Sequence, residues 1–236
     1  MNLLLLEDRD FVADNRVQIS GNRFMHTKKV LRGQPGMHIA CGRLNGKTGT
    51  GEILSMDRSR LEMEVCLDRE PPEPIPLTLV LALPRPKMVK RILQAVASLG
   101  VKEIYLINSW RVEKSFWLSD LLEKERLNRH LKLGLAQARD TILPEIRLER
   151  YFTAFVRDRL DAIATGKKRI LAHPKTSQVC PVGVNKGTVL IIGPEGGFID
   201  KEIDAFSHAG FEPYTLGARI LRVETAVTAL VARLFN

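Results

Sequence analysis

The chain has 236 residues, with 36 Lys and Arg against 27 Asp and Glu and a net charge of +9. A hydrophobic fraction of 44% beside a charged fraction of 27% excludes an intrinsically disordered chain, and the length allows a core without disulfide or metal staples. Three dispersed cysteines (Cys41, Cys66, Cys180), five scattered histidines and no long apolar run predict a cytoplasmic protein with free thiols, no metal and no membrane segment.

The opening Leu3–Leu6 run is broken at once by Glu7, Asp8 and Arg9, which is not the pattern of a signal peptide. Residues 1–76 are balanced, with 11 basic and 11 acidic side chains, yet residues 16–51 hold Arg16, Arg23, Lys28, Lys29, Arg32, Arg43 and Lys47 and no acid. Such a stretch reads as a surface that neutralises nucleic-acid phosphates; the plainer alternative is a solvated, loop-rich face. Met37–Cys41, Gly51–Met56 and Arg60–Leu67 are short segments set off by Gly, Asn and Asp. The last alternates polar and apolar residues, as a half-buried strand does. Residues 1–70 therefore predict a small β-barrel or meander, with the basic stretch on its strands and loops. Four prolines in residues 71–76 predict a stiff linker.

From Leu77 onward the pattern is α/β. Leu77–Leu83 is an apolar run interrupted only by Thr78, as in a strand buried on both faces. Pro86 opens a helix with Met88, Val89, Ile92, Leu93, Val96 and Leu99 at helical spacing, and Gly100 stops it. A strand at Ile104–Ile107, a helix over Leu121–Ala138 capped by Asp120 or Glu123, a strand near Ile146 and a helix over Phe152–Ile163 follow. Strands at Arg169–Ala172 and Thr188–Ile192, a helix capped by Asp200, a strand at Tyr214–Leu216 and a helix over 222–235 complete the chain. Alternation of this kind predicts a parallel sheet over residues 77–236.

Two C-terminal segments carry the chemistry. Ile191-Ile192-Gly193-Pro194-Glu195-Gly196-Gly197-Phe198 is a buried strand ending in a Pro/Gly turn, and Leu216-Gly217-Ala218-Arg219-Ile220-Leu221-Arg222-Val223-Glu224-Thr225-Ala226 is a glycine turn entering the last helix. Glycine lets backbone amides approach a ligand closely, and ligands of open α/β sheets sit at the carboxyl ends of the strands. The dinucleotide fingerprint G-x-G-x-x-G and the phosphate-cradling G-x-x-x-x-G-K-[ST] are both absent, which disfavours a nicotinamide enzyme or an NTPase.

The pair GPEGGF and LGARILRVETA resembles the two signature motifs of the RsmE-type rRNA uridine-N3 methyltransferases of the SPOUT superfamily. Further likeness lies in Gln94 with Leu99-Gly100-Val101, in Gln137, Arg139 and Leu143-Pro144-Glu145-Ile146, in His173-Pro174, and in Val30-Leu31-Arg32 with Gln34-Pro35-Gly36. The likeness spans almost the whole chain. It implies a PUA-like RNA-binding barrel before a catalytic domain with a C-terminal trefoil knot, S-adenosylmethionine as methyl donor, 16S rRNA or the small ribosomal subunit as substrate, and a homodimer. Ala95, Ser98, Ala136, Trp110 and Val112 depart from the family's usual Lys, Glu, acid, Glu and Ser, so the cofactor motifs are intact while target choice is the part in question.

By this resemblance the cofactor would lie against Ile192, Gly193, Pro194, Gly196, Gly197, Leu216, Gly217, Ile220 and Leu221, with His173 lining the pocket or serving the fold. Glu224 and Thr225 belong to the same segment and read as cap and motif-shaping residues rather than a general base. Arg222 is the candidate catalytic residue, binding a uracil carbonyl and stabilising the developing anion; the alternatives are pairing with Glu224 or with an RNA phosphate. Arg23, Lys28, Lys29, Arg32 and Arg43 are the candidate RNA-positioning cations, and Arg139 serves either RNA or the fold. Two other readings stand beside the leading one, a SPOUT methyltransferase acting on a different RNA site and a non-catalytic RNA-binding assembly factor.

Overall fold

The computed structural model describes residues 2–235; Met1 and Asn236, the outermost residues of the two predicted domains, lie outside the described residues. The chain forms two compact units, one of residues 1–73 with 132–143, the other of residues 74–131 with 144–236. The sequence division into 1–70, 71–76 and 77–236 assigns residues 132–143 to the catalytic part; here they are counted with the first unit.

The first unit contains β1 (Leu4–Leu6), β2 (Phe11–Ala13), β3 (Arg16–Ser20), α1 (Gly21–Lys29), β4 (His38–Arg43), β5 (Thr48–Met56) and β6 (Arg60–Arg69). Its sheet has the order β1-β4-β5-β6-β3-β2, antiparallel except that β1 runs parallel to β4. Alternation along β6 sends Leu61, Met63 and Val65 inward, where they meet Leu4, Leu6, Val17, Ile19, Ile39 and Ile53. Each such buried side chain contributes about 1.5–3 kcal/mol of hydrophobic stabilisation. Helix α1 corrects the expectation that the basic stretch lies on strands and loops: Gly21–Lys29 is helical and inserts Phe24 and Thr27 into this core. Residues 132–143 are tied to the unit by Leu3 N–H to the Ala136 carbonyl (2.8 Å), Asn45 N–H to the Thr141 carbonyl (2.8 Å) and a Lys132–Glu7 ion pair at 2.8 Å.

The second unit carries β7 (Leu77–Ala82), α2 (Pro86–Ser98), β8 (Glu103–Ile107), the start of α3 (Lys124–Ala138), β9 (Glu145–Glu149), α4 (Phe152–Asp158), α5 (Leu160–Ala164), β10 (Lys168–Ala172), β11 (Thr188–Ile192), α6 (Asp200–His208), β12 (Glu212–Tyr214) and α7 (Val223–Phe235). The sheet is wholly parallel in the order β12-β10-β11-β7-β8-β9. Every residue of the central β7 and β11 is buried, as expected for strands covered on both faces. The predicted helix over 121–138 starts later, after two short 3-10 turns at Lys114–Leu118 and Asp120–Leu122, and the one over 152–163 is split at Arg159. The predicted strand at Tyr214–Leu216 lies two residues earlier. Asp200 begins α6 rather than capping it; the Glu202 carboxylate takes the Ile199 N–H at 3.0 Å instead.

From β7 the chain winds outward through β8 to β9, then crosses to build β10, β11 and β12 on the other side. Neighbouring β7 and β11 therefore send their following segments in opposite directions, the kind of switch point at which open α/β sheets bind ligands beyond the carboxyl ends of the strands.

Candidate functional site

At that end of the sheet the register aligns Ala172 of β10 with both Ile192 of β11 and Tyr214 of β12, so His173, Gly193 and Thr215 leave at one level. The first turn closes through the Gly197 N–H to the Pro194 carbonyl (2.8 Å). A Cβ on Gly193 would stand 3.1 Å from the Phe198 ring, and that ring is held edge-on against Phe206 with centroids 5.0 Å apart. Glu195 accepts the Arg85 N–H at 3.1 Å, which links the β11 turn to the segment leaving β7. The Arg111 guanidinium donates to the Gly196 carbonyl at 2.5 Å from the loop after β8.

The second turn follows β12. Thr215 is fixed by its N–H to the Gln178 carbonyl (2.8 Å), by the Cys180 N–H to its own carbonyl (2.8 Å), and by its Oγ1, which accepts the Gly217 N–H at 3.2 Å. Gly217 has φ +122, a conformation that a side chain would strain. Residues 217–222 are exposed, Ile220 to 82%. Among the described residues the N–H groups of Ala218, Ile220 and Leu221 have no hydrogen-bond acceptor. Polar main-chain groups beside apolar side chains, with glycines where bulk would intrude, suit an adenine and ribose better than a highly charged ligand. The turns fit S-adenosylmethionine in that respect.

The other predicted residues fall nearby. His173 donates its backbone N–H to the Tyr214 carbonyl (2.9 Å), and burial with the Lys175 charge lowers its pKa from 6.5 against a weaker pull from Asp200, which favours the uncharged ring. Arg222 is exposed, its carbonyl accepts the Ala226 N–H at 2.8 Å to start α7, and its guanidinium has no partner among the described residues. Pairing of Arg222 with Glu224 is therefore not formed. Thr225 is exposed and Glu224 half-buried in the first turn of α7.

A model of an RNA methyltransferase domain matches residues 71–235. The ribosomal RNA small subunit methyltransferase E of Treponema pallidum is 33% identical across 98% of this chain and 90% of its own length. The chain belongs to the RsmE-type methyltransferase family. The ribosomal RNA small subunit methyltransferase E 1 of Borreliella burgdorferi is 26% identical over 97% of this chain and 95% of its own. A crystal structure of the methyltransferase E of Neisseria gonorrhoeae bound to S-adenosyl methionine has a TM-score of 0.76 at 23% identity, over 98% and 95% of the two chains, and shares the α/β fold.

In this RsmE-type chain all six candidate RNA cations lie in the first unit. Lys28, Lys29 and Arg32 are exposed and without an acidic partner among the described residues, with Lys28 Nζ 5.3 Å from the Phe24 ring centroid. Arg43 is exposed but paired with Asp8 at 2.8 Å. Arg23 is committed elsewhere: it makes a fork of 2.5 and 2.7 Å bonds to Asp10, itself 5% exposed, and donates to the Leu5 carbonyl at 3.0 Å. Arg139 is exposed with φ +57. Sequence reading missed Arg85, Arg111 and Glu202 as residues that shape the glycine turn; a motif scan sees spacing along the chain, not contacts across strand ends. Among the described residues no cluster of three His, Cys, Asp or Glu stands ready for a metal, and no helix is long and apolar enough to cross a membrane.

Proposed function

We propose that this chain transfers a methyl group from S-adenosylmethionine to N3 of a uridine in small-subunit (16S) rRNA. What carries the reading is the seating of the GPEGGF and LGARILRVETA turns at the carboxyl ends of the two parallel strands that flank β10, in a chain of this family. When bound, the donor supplies a sulfonium methyl. The protein's part is positioning and preorganised charge. Backbone groups of Gly193, Gly196, Gly197, Leu216, Gly217 and Leu221 hold the donor, with Ile192, Pro194 and Ile220 as walls, His173 at the pocket edge, and Glu224 and Thr225 ordering the helix start. Arg222 binds a uracil carbonyl and stabilises the negative charge that develops as the N3 proton leaves.

In the same reading residues 1–70 form a PUA-like barrel that orients rRNA through Lys28, Lys29, Arg32, Arg43 and Arg139, and residues 77–236 form a SPOUT domain after the 71–76 linker. A C-terminal trefoil knot is supported by the way residues 180–184 hold the end of α7: Gly183 N–H meets the Arg233 carbonyl at 3.1 Å, Val184 N–H the Leu234 carbonyl at 2.5 Å, and Arg233 Nε the Cys180 carbonyl at 2.6 Å. The exposed or half-buried face of α7 (Thr225, Thr228, Ala229, Ala232) supports a homodimer, and the substrate places the protein in the cytoplasm.

The test incubates small ribosomal subunits from a strain lacking the enzyme with labelled S-adenosylmethionine and the protein, with Arg222→Ala in parallel. The expected product is 3-methyluridine, lost in the variant; a different methylated nucleoside, or none despite cofactor binding, overturns the assignment.

A further inference from the structure

Resting on that reading, the loop leaving β8 bears on how the substrate is gripped. Trp110 is 80% exposed, although an aromatic of its size ordinarily covers 150–250 Å² of apolar surface. The ring is exposed on a fixed stem. Trp110 N–H donates to Glu202 Oε1 at 2.8 Å, and the other oxygen of that buried carboxylate holds the Ile199 N–H at 3.0 Å. Val112 N–H closes a turn on the Ser109 carbonyl at 3.0 Å, with both Ser109 and Val112 buried. Arg111, between them in sequence, is bonded to the Gly196 carbonyl. Trp110 is thus anchored to α6 through its own N–H, and the neighbouring Arg111 side chain is bonded to the GPEGGF turn, while the indole faces solvent.

Its surroundings have the chemistry of a strand of nucleic acid. Arg85 and Arg111 are exposed beside the same turn, and Glu195 is occupied by the Arg85 amide. An exposed aromatic ring on an anchored backbone, with exposed arginines at Arg111 and at Arg85 on the segment leaving β7, is the arrangement that stacks unpaired bases while cations follow the backbone.

We propose that Trp110 is a stacking platform for an unpaired nucleobase adjacent to the target uridine, so that the loop after β8 grips the RNA strand beside the methylation site. It is a positioning residue, since the methyl transfer itself passes elsewhere.

The test compares wild type, Trp110→Ala and Trp110→Phe on small ribosomal subunits, with light scattering and cofactor calorimetry on each. The alanine variant should raise KM for subunits about tenfold with kcat little changed, and phenylalanine should regain most of it. S-adenosylmethionine affinity and the salt slope of RNA binding should stay as in wild type, because every phosphate-binding cation is still present. Single-stranded oligouridylate should quench the fluorescence of wild type but not of Trp110→Phe, whose remaining tryptophan, Trp117, is buried. An unchanged KM in Trp110→Ala overturns the proposal. So does a raised KM that coincides with dissociation of a dimer, which assigns the ring to a second copy of the chain. Should wild type methylate no RNA at all, the proposed function falls, and the quenching experiment alone decides the stacking.

Discussion

Replacing Arg23 by alanine should damage the first unit rather than its grip on RNA. The guanidinium makes 2.5 and 2.7 Å bonds to an Asp10 carboxylate that is only 5% exposed, and a third bond to the Leu5 carbonyl at 3.0 Å. Removing one partner leaves a buried charge uncompensated, which costs about 3–5 kcal/mol; the 29% exposure of the Arg23 side chain argues for the lower end. Against a total stability of about 5–15 kcal/mol that is a large fraction. Urea unfolding followed by circular dichroism reads the loss, and hydrogen exchange on β3 and β6 reads it for the first unit alone, since the two units need not melt together. The Asp10→Ala, Arg23→Ala double variant should be no worse than the single one, giving a coupling of about 2 kcal/mol or more. Lys28→Ala and Arg32→Ala should behave oppositely, leaving unfolding unchanged while each lowers the salt slope of rRNA binding by about 1, the share of one neutralised phosphate. An Arg23→Ala protein that unfolds at the wild-type urea midpoint yet binds rRNA more weakly would refute this division of labour.

Gly193→Ala places a methyl 3.1 Å from the Phe198 ring, which Phe206 keeps from retreating. The expected cost is about 1–3 kcal/mol of stability, with S-adenosylmethionine bound about tenfold more weakly by calorimetry; unchanged affinity would move the donor away from this turn. Glu7 supplies the pH dependence. Burial raises its pKa, but the Lys132 hydrogen bond and charge outweigh that and leave it below 4.5. The pair therefore stabilises the first unit above that pH and is lost as pH falls through the lower folded value. Amide exchange in residues 132–138 should accelerate on acidification through that range, and in Glu7→Gln it should be fast and indifferent to it.

The second unit was legible because β7 and β11 are apolar except for Thr78 and Thr188, and the glycine turns because their spacing is unusual. Helix α1 was not: it buries only Phe24 and Thr27 along nine residues, too few for a period to show. The acid-free window from residue 16 to 51 overstated the free charge, since the acid that neutralises Arg23 lies outside it at Asp10. Membership of residues 132–143 in the first unit depends on backbone bonds such as Leu3 to Ala136, which no local pattern announces. The Arg111 and Glu202 bonds around the GPEGGF turn are likewise pairings between distant segments.

That discontinuous first unit sets a timetable for synthesis. Its sheet is translated by residue 69, but the segment carrying Lys132, Ala136 and Thr141 leaves the ribosome only after β7, α2 and β8 of the other unit. At about 5–20 residues per second the first unit waits several seconds for its last piece. During that interval Glu7 lacks Lys132, and Leu3 and Asn45 lack the carbonyls they pair with. A chain ending near residue 76 holds every strand of the sheet but lacks residues 132–143, and that fragment made on its own inherits the defect permanently.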